Sequence, residues 1–185
     1  MRKFLLACTV FLPSLWASGE LSNRRAPGFS LPDASIRQHD LADYRGELVV
    51  LEIMLTTCPH CVKFAPILEE VQKKYAGRVQ VLSITNPPDT TTTVGKFVRE
   101  QGASYPLLFD CGQVAGSYML ATPQKPSFDI PHVFLIDQNG IIKNDFGYGV
   151  LTTQIFEGRA LFTEIDKLLG TAPSGPPAKK AAPKK

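Results

Sequence analysis

The chain has 185 residues, 44% of them hydrophobic and 20% charged, which fits one globular domain with short appendages and excludes a disordered or membrane-embedded chain. Its formal net charge of +3 sits at the ends: without Arg2, Lys3 and the four lysines after residue 170, 14 basic groups face 17 acidic ones. The basic excess therefore makes no nucleic-acid-binding face, and no nucleic-acid partner is expected.

Residues 1–19 read as a secretory signal, with a basic start at Arg2 and Lys3, an apolar run from Phe4 to Trp16 and a small-residue exit at Ala17-Ser18-Gly19. The run is shorter than the ~20 residues of a spanning helix, so membrane contact is expected only through an uncleaved signal or the lysine-bearing tail. An exported, periplasmic or otherwise extracytoplasmic protein follows. Of the four cysteines, Cys58, Cys61 and Cys111 lie beyond the signal, and an odd number leaves a thiol outside any structural disulfide framework.

After a proline-containing lead-in over residues 25–32, the stretch Leu48 to Leu55 is apolar at both parities, as a central strand covered on both faces requires. Glu52 is its one charged residue. Pro59 suits the first turn of a helix reaching about Tyr75, with Val62, Ile67, Leu68 and Val71 on its apolar stripe. A strand over Val79 to Ile84, a helix over Val94 to Gln101, a strand over Tyr105 to Phe109 and a short helix over Gln113 to Met119 follow. Strands alternating with helices predict an α/β domain with parallel pairing.

Residues 122–129, with Pro123 and Pro126, are irregular. His132 to Ile136 and Ile141 to Phe146 then flank Asp137-Gln138-Asn139-Gly140, a hairpin signal that makes the last pair antiparallel and the sheet mixed. A closing helix is predicted over Thr153 to Leu169. Residues 171–185 contain only Thr, Ala, Pro, Ser, Gly and Lys, too little apolar surface to offset ordering, and read as a flexible tail. The domain is expected over residues 26–170.

The chemistry concentrates in Cys58-Pro59-His60-Cys61. A C-x-x-C pair opening a helix puts its sulfurs about one turn apart, within reach of a reversible disulfide. Cys58, at the helix N-terminus, meets unpaired N–H groups and the positive end of the macrodipole, which favour the reactive thiolate and make it the nucleophile. Cys61, one turn inside, is the resolving thiol. Pro59 and His60 tune the pair: an imidazolium about 5 Å from the thiolate would stabilise it by roughly 3 kcal/mol at an effective dielectric of about 20, leaning the couple toward an oxidant. Glu52, on a buried strand, is a carboxyl raised by desolvation and suited to accept the Cys61 proton.

Other chemistries fit less well. Structural zinc needs four ligands, and the chain has no second cysteine pair at suitable spacing, so no metal or cofactor is expected. A copper-binding or delivery protein holding Cu(I) through Cys58, Cys61 and either His60 or His132 is the alternative from a different class, with a thiol peroxidase as a third. Cys111 reads as a buried packing residue, and His39 as part of a solvated loop.

The stretch from Cys58 through Pro66 to Glu70 resembles the active-site helix of thioredoxins, including the proline five residues after the second cysteine. Glu52, six residues before Cys58, matches their buried acid. Ile130-Pro131-His132 and the hairpin after it resemble the family's cis-proline strand. Ala26-Pro27-Gly28-Phe29 and Asp43-Tyr44-Arg45-Gly46 are similar to the exported TlpA/ResA branch and its peroxiredoxin-related AhpC/TSA cousins. Thr57 stands where that family usually has Trp, and the Pro-His dipeptide is similar to DsbA-type oxidases.

The resemblance implies a thioredoxin-like fold with an N-terminal extension and an insertion before Pro131. It also implies a cis Pro131 presenting a backbone edge to client proteins, with Ile130 and His132 lining that groove. The implied activity is thiol-disulfide exchange with the thiols and disulfides of exported proteins, served by a redox partner protein.

Overall fold

In the computed structural model, which describes residues 19–170, the central apolar run forms β4 (Leu48–Met54), every residue of which is buried. Its neighbours are β5 (Val79–Thr85), parallel to it, and β7 (His132–Ile136), antiparallel to it. A six-stranded mixed sheet results, in the order β1 (Arg24–Arg25), β8 (Ile141–Gly147), β7, β4, β5, β6 (Leu107–Phe109). The signal region and the C-terminal tail lie outside the described residues.

Alternation along β4 divides the core in two. Leu48, Val50 and Met54 join Val79, Val81, Val133 and Leu135 under α1 (Pro59–Lys74), α2 (Thr91–Gln101) and the last helices. Val49, Leu51 and Ile53 pack on the opposite face with Leu82, Ile84, Phe134 and Tyr118 of α3 (Gln113–Tyr118). A single-residue step along any of these strands thus moves a side chain from one core to the other.

Local chemistry sets the helix starts. Pro59 occupies the first turn of α1, where its missing N–H costs nothing, and Pro66 sits inside the helix. Thr90 and Thr93 bond each other's backbone in a capping box at the start of α2.

Three sequence expectations are corrected. The closing helix is two helices, α4 (Thr153–Phe156) and α5 (Arg159–Leu168), because Gly158 adopts φ +90 and packs against α1. His39 is buried on β3 (Gln38–Asp40), which pairs with β2 (Ser30–Pro32) in a small hairpin; its ring nitrogens contact Tyr44 Oη at 2.6 Å and Asp33 Oδ2 at 3.1 Å. Cys111 is exposed, not packed in the core.

The Gly158 break has a measurable consequence. A Cβ there would stand 3.1 Å from Ile67 Cγ2 on α1, on a backbone that L-residues rarely adopt. Gly158→Ala is expected to lower stability by roughly 1–2 kcal/mol in urea unfolding. An unchanged midpoint would mean that the break tolerates a side chain.

Candidate active site

Cys58 takes the N-cap position of α1 in an extended conformation, with no side chain capping the helix. The segment leading to it is held from outside α1: Asp89 accepts hydrogen bonds from the Thr56 backbone N–H, at 2.8 Å, and from the Thr56 hydroxyl. Asp89 also accepts from Thr93 Oγ1 at 3.0 Å, so the start of α2 positions the approach to the cysteine. The Cys58 thiol is half-buried, and its Sγ lies 3.9 Å from the carbonyl oxygen of Ile130. The Ile130–Pro131 peptide is cis.

Cys61 is buried, and both cysteines are thiols. Burial first, then the charge of Glu52 and the neighbouring Cys58 thiol, push the Cys61 thiol far above its ordinary range. Cys61 therefore needs a local acceptor before it can act as a nucleophile.

Glu52 lies on the same face of β4 as the core that holds Cys61, with Ser83 opposite it on β5 and Val133 opposite it on β7. Ser83 donates its hydroxyl proton to Oε2 at 2.6 Å, while Oε1 is buried without a hydrogen bond. Desolvation raises the carboxyl from 4.5 to about 7, and the Ser83 bond opposes only part of that rise. A carboxyl poised there can take a proton from a thiol and return it near neutral pH.

The remaining residues singled out in the sequence divide between two locations. His60 is exposed on the first turn of α1, its ring stacked on Tyr148 with centroids 3.9 Å apart. Tyr148 in turn donates its backbone N–H to the Pro131 carbonyl, so cysteine helix and proline loop share one rim.

His132 steps to the other face of the sheet, opposite Ile53 rather than Glu52. Its ring stacks on Phe134, and Nε2 lies 3.2 Å from Asp145 Oδ2. It borders a pocket of about 410 Å³ with Phe128, Asp129 and Gly147. His132 and the two cysteines therefore do not form one ligand set, and among the described residues no three His, Cys, Asp or Glu side chains come together as a metal site.

Asp89, Ser83, Tyr105 and Tyr148 were missed in the sequence. Tyr148, just past a predicted strand end, gave the one local hint, an aromatic beside the motif's return strand. The other three acquire their positions only through strand register and helix docking.

With this geometry in view, known proteins supply a context. The sequence profile of the AhpC/TSA family matches residues 23–145. The chain is 33% identical over 120 residues to the thiol-disulfide oxidoreductase ResA of Geobacillus thermodenitrificans, a match covering 64% of each chain. It thus spans just under two thirds of that relative's length. It is 26% identical to the thioredoxin-like protein YneN of Bacillus subtilis, over 75% of this chain and 78% of that one. A crystal structure assigned as the thiol:disulfide interchange protein DsbE of Chlorobium tepidum superposes with a TM-score of 0.63 at 27% identity, covering 76% of this chain and 96% of that one.

Proposed function

Because the chain belongs to the AhpC/TSA family and has a thioredoxin-like fold, we propose that it is an exported thiol-disulfide oxidoreductase acting on protein clients through Cys58 and Cys61. One observation carries the reading: a half-buried thiol at a helix N-terminus, against the Ile130 carbonyl, with a second thiol buried one turn behind it.

The Cys58 thiolate attacks a client disulfide, forming a mixed disulfide and expelling one client thiolate, which takes a proton from solvent. Glu52 accepts the Cys61 proton, and the Cys61 thiolate attacks Cys58 Sγ. The enzyme disulfide forms, the second client thiol leaves, and the client has gained the two electrons that the enzyme lost. Run backward, the same steps oxidise a client, and a redox partner protein resets the couple in either case. The half-buried Ile130, whose carbonyl faces the Cys58 thiol, receives the client's backbone ahead of the buried cis Pro131, while Pro59 and His60 tune the thiolate.

Equilibration in glutathione buffers with mass mapping tests this reading. The expected result is reversible loss of two thiols with a Cys58–Cys61 bridge. Thiols that persist under oxidising glutathione, or a bridge to Cys111 instead, would overturn it.

The client surface gives a second test. Val150 and Leu151 are 93% and 99% exposed on a short 3-10 turn, two residues past the ring that stacks on His60. Exposed apolar side chains following the Tyr148 ring that stacks on His60 suit an unfolded or extended polypeptide. Replacing both by Ser is expected to raise KM for insulin several-fold while leaving the reaction with a small aromatic disulfide unchanged. Equal KM values for insulin would remove these residues from the client surface.

A further inference from the structure

Glu52, Ser83 and Leu107 lie side by side across β4, β5 and β6 on the face that holds Cys61. Tyr105 stands two residues before Leu107 and belongs to the same core, and the intervening Pro106 carbonyl accepts the Ser83 backbone N–H at 3.0 Å. The phenol is thus brought to the flank of Ser83, the residue already bonded to Glu52. Two buried polar atoms in this row lack hydrogen bonds, Oε1 of Glu52 and the hydroxyl of Tyr105. Leaving both unpaired in the core is costly, and the cost is greatest when the carboxyl is charged.

We propose that Tyr105 is a positioning residue for exchange, whose hydroxyl donates to Glu52 Oε1 when the carboxyl is ionised and thereby holds it in the form that can accept the Cys61 proton. The inference rests on the role of Glu52 proposed above. Ser83 holds one carboxylate oxygen at all times and Tyr105 secures the other only in the charged state. When Glu52 takes the thiol proton, the need for the second donor ends and the phenol relaxes. The hydroxyl moves no electrons and keeps its own proton throughout; it can do so because burial raises the phenol far above its ordinary range.

The groups around the carboxyl fit this role. From α1 come Cys58, whose sulfur is bonded to the client when the resolving step begins, Cys61, which still holds its proton, and more distantly Glu69, whose charge is held by Ser104 and Lys73. Val133, its partner on β7, is apolar. None of them is a cation that could stabilise the Glu52 carboxylate in place of a hydroxyl donor.

Tyr105→Phe removes the hydroxyl and keeps the ring. The protein is loaded at Cys58 with thionitrobenzoate, and release of the dye by Cys61 is followed across pH in single turnovers. In the wild type the release rate should rise with the ionisation of Glu52 through a midpoint at or somewhat below 7, because the Tyr105 bond lowers the carboxyl from the value that desolvation and Ser83 alone set. In Tyr105→Phe that midpoint should move up by about one pH unit, slowing release about tenfold below the midpoint, with the rates converging at high pH. A merely structural phenol would lower stability and leave the profile in place, so superimposed profiles would overturn the proposal.

A second measurement uses the unaltered protein: the carbon-13 shift of the Tyr105 ring should follow the Glu52 carboxyl with one midpoint. A Tyr105 signal that stays constant through that titration would equally overturn it. Glu52→Gln separates the two readings. If its profile matched the wild type, the role of Glu52 would fail on its own, whatever Tyr105→Phe did.

Discussion

Cys58→Ser is expected to abolish disulfide exchange, while Cys61→Ser should stop the cycle one step later with the client still attached. The asymmetry follows from position. Cys58 caps α1, reaches the surface and lies against the Ile130 carbonyl, whereas Cys61 is buried behind it. A client can meet only the first sulfur. Without it no mixed disulfide forms, and insulin turnover should fall to the uncatalysed rate.

Without Cys61 the mixed disulfide forms but has no resolving thiol, so it should accumulate with a client as a species visible on non-reducing gels. Cys111, also exposed, supplies the control. Cys111→Ser should leave turnover intact. Cys58→Ser protein with substantial turnover, or trapping through Cys111, would remove the dithiol from the chemistry.

Glu52→Gln is expected to act in opposite directions on activity and on stability. The folded carboxyl titrates near 7 against an ordinary 4.5, so the folded protein holds this proton more tightly than the unfolded chain. Between those values the folded state binds more protons, and stability falls as pH rises. Above about pH 7 the full cost is present, roughly 3 kcal/mol from the separation of the two values.

Gln cannot ionise and escapes that cost. The variant should match the wild type near pH 4 and exceed it by up to about 3 kcal/mol at pH 8, as urea unfolding at the two pH values would report. Its resolving step should meanwhile slow by roughly 100-fold at pH 8 and lose the inflection near 7, because the Cys61 proton has no acceptor. A variant no more stable at pH 8 than at pH 4, relative to the wild type, would show that Glu52 is not a desolvated carboxylate.

Much of this site was legible before folding because its signals are local. The run around Glu52 is apolar at both parities and of strand length, as a doubly covered strand requires, and the structure places it at the centre of the sheet. Pro59 after Cys58 marks a helix start, and Asp137 to Gly140 marks a turn. What stayed hidden depends on contacts distant in sequence. Gln38-His39-Asp40 has no apolar pattern, and His39 is buried because Asp33 and Tyr44 hydrogen-bond its two ring nitrogens.

The division of the closing helix depends on α1 pressing against Gly158, which no periodicity in Thr153 to Leu169 reveals. The pairing of Glu52 with Ser83 is a matter of register between two strands. His132 illustrates the limit most simply: one residue beyond Pro131, it faces the core opposite to that of Glu52.

The anchoring of the first described residues bears on how an upstream attachment would orient the domain. Asp145 on β8 accepts the Leu21 backbone N–H at 3.1 Å and the Ser22 hydroxyl at 2.5 Å, and Glu20 and Leu21 border the same pocket as Asp129 and Gly147. The polypeptide thus joins the domain at the end of the sheet where Pro131 and Cys58 lie. A leash attached upstream of residue 19 would draw that end, rather than the opposite one, toward a bilayer. Each upstream residue adds at most about 3.5 Å of reach, so a short leash would give the thiols ready access to a membrane-borne electron carrier and restrict their access to freely diffusing proteins.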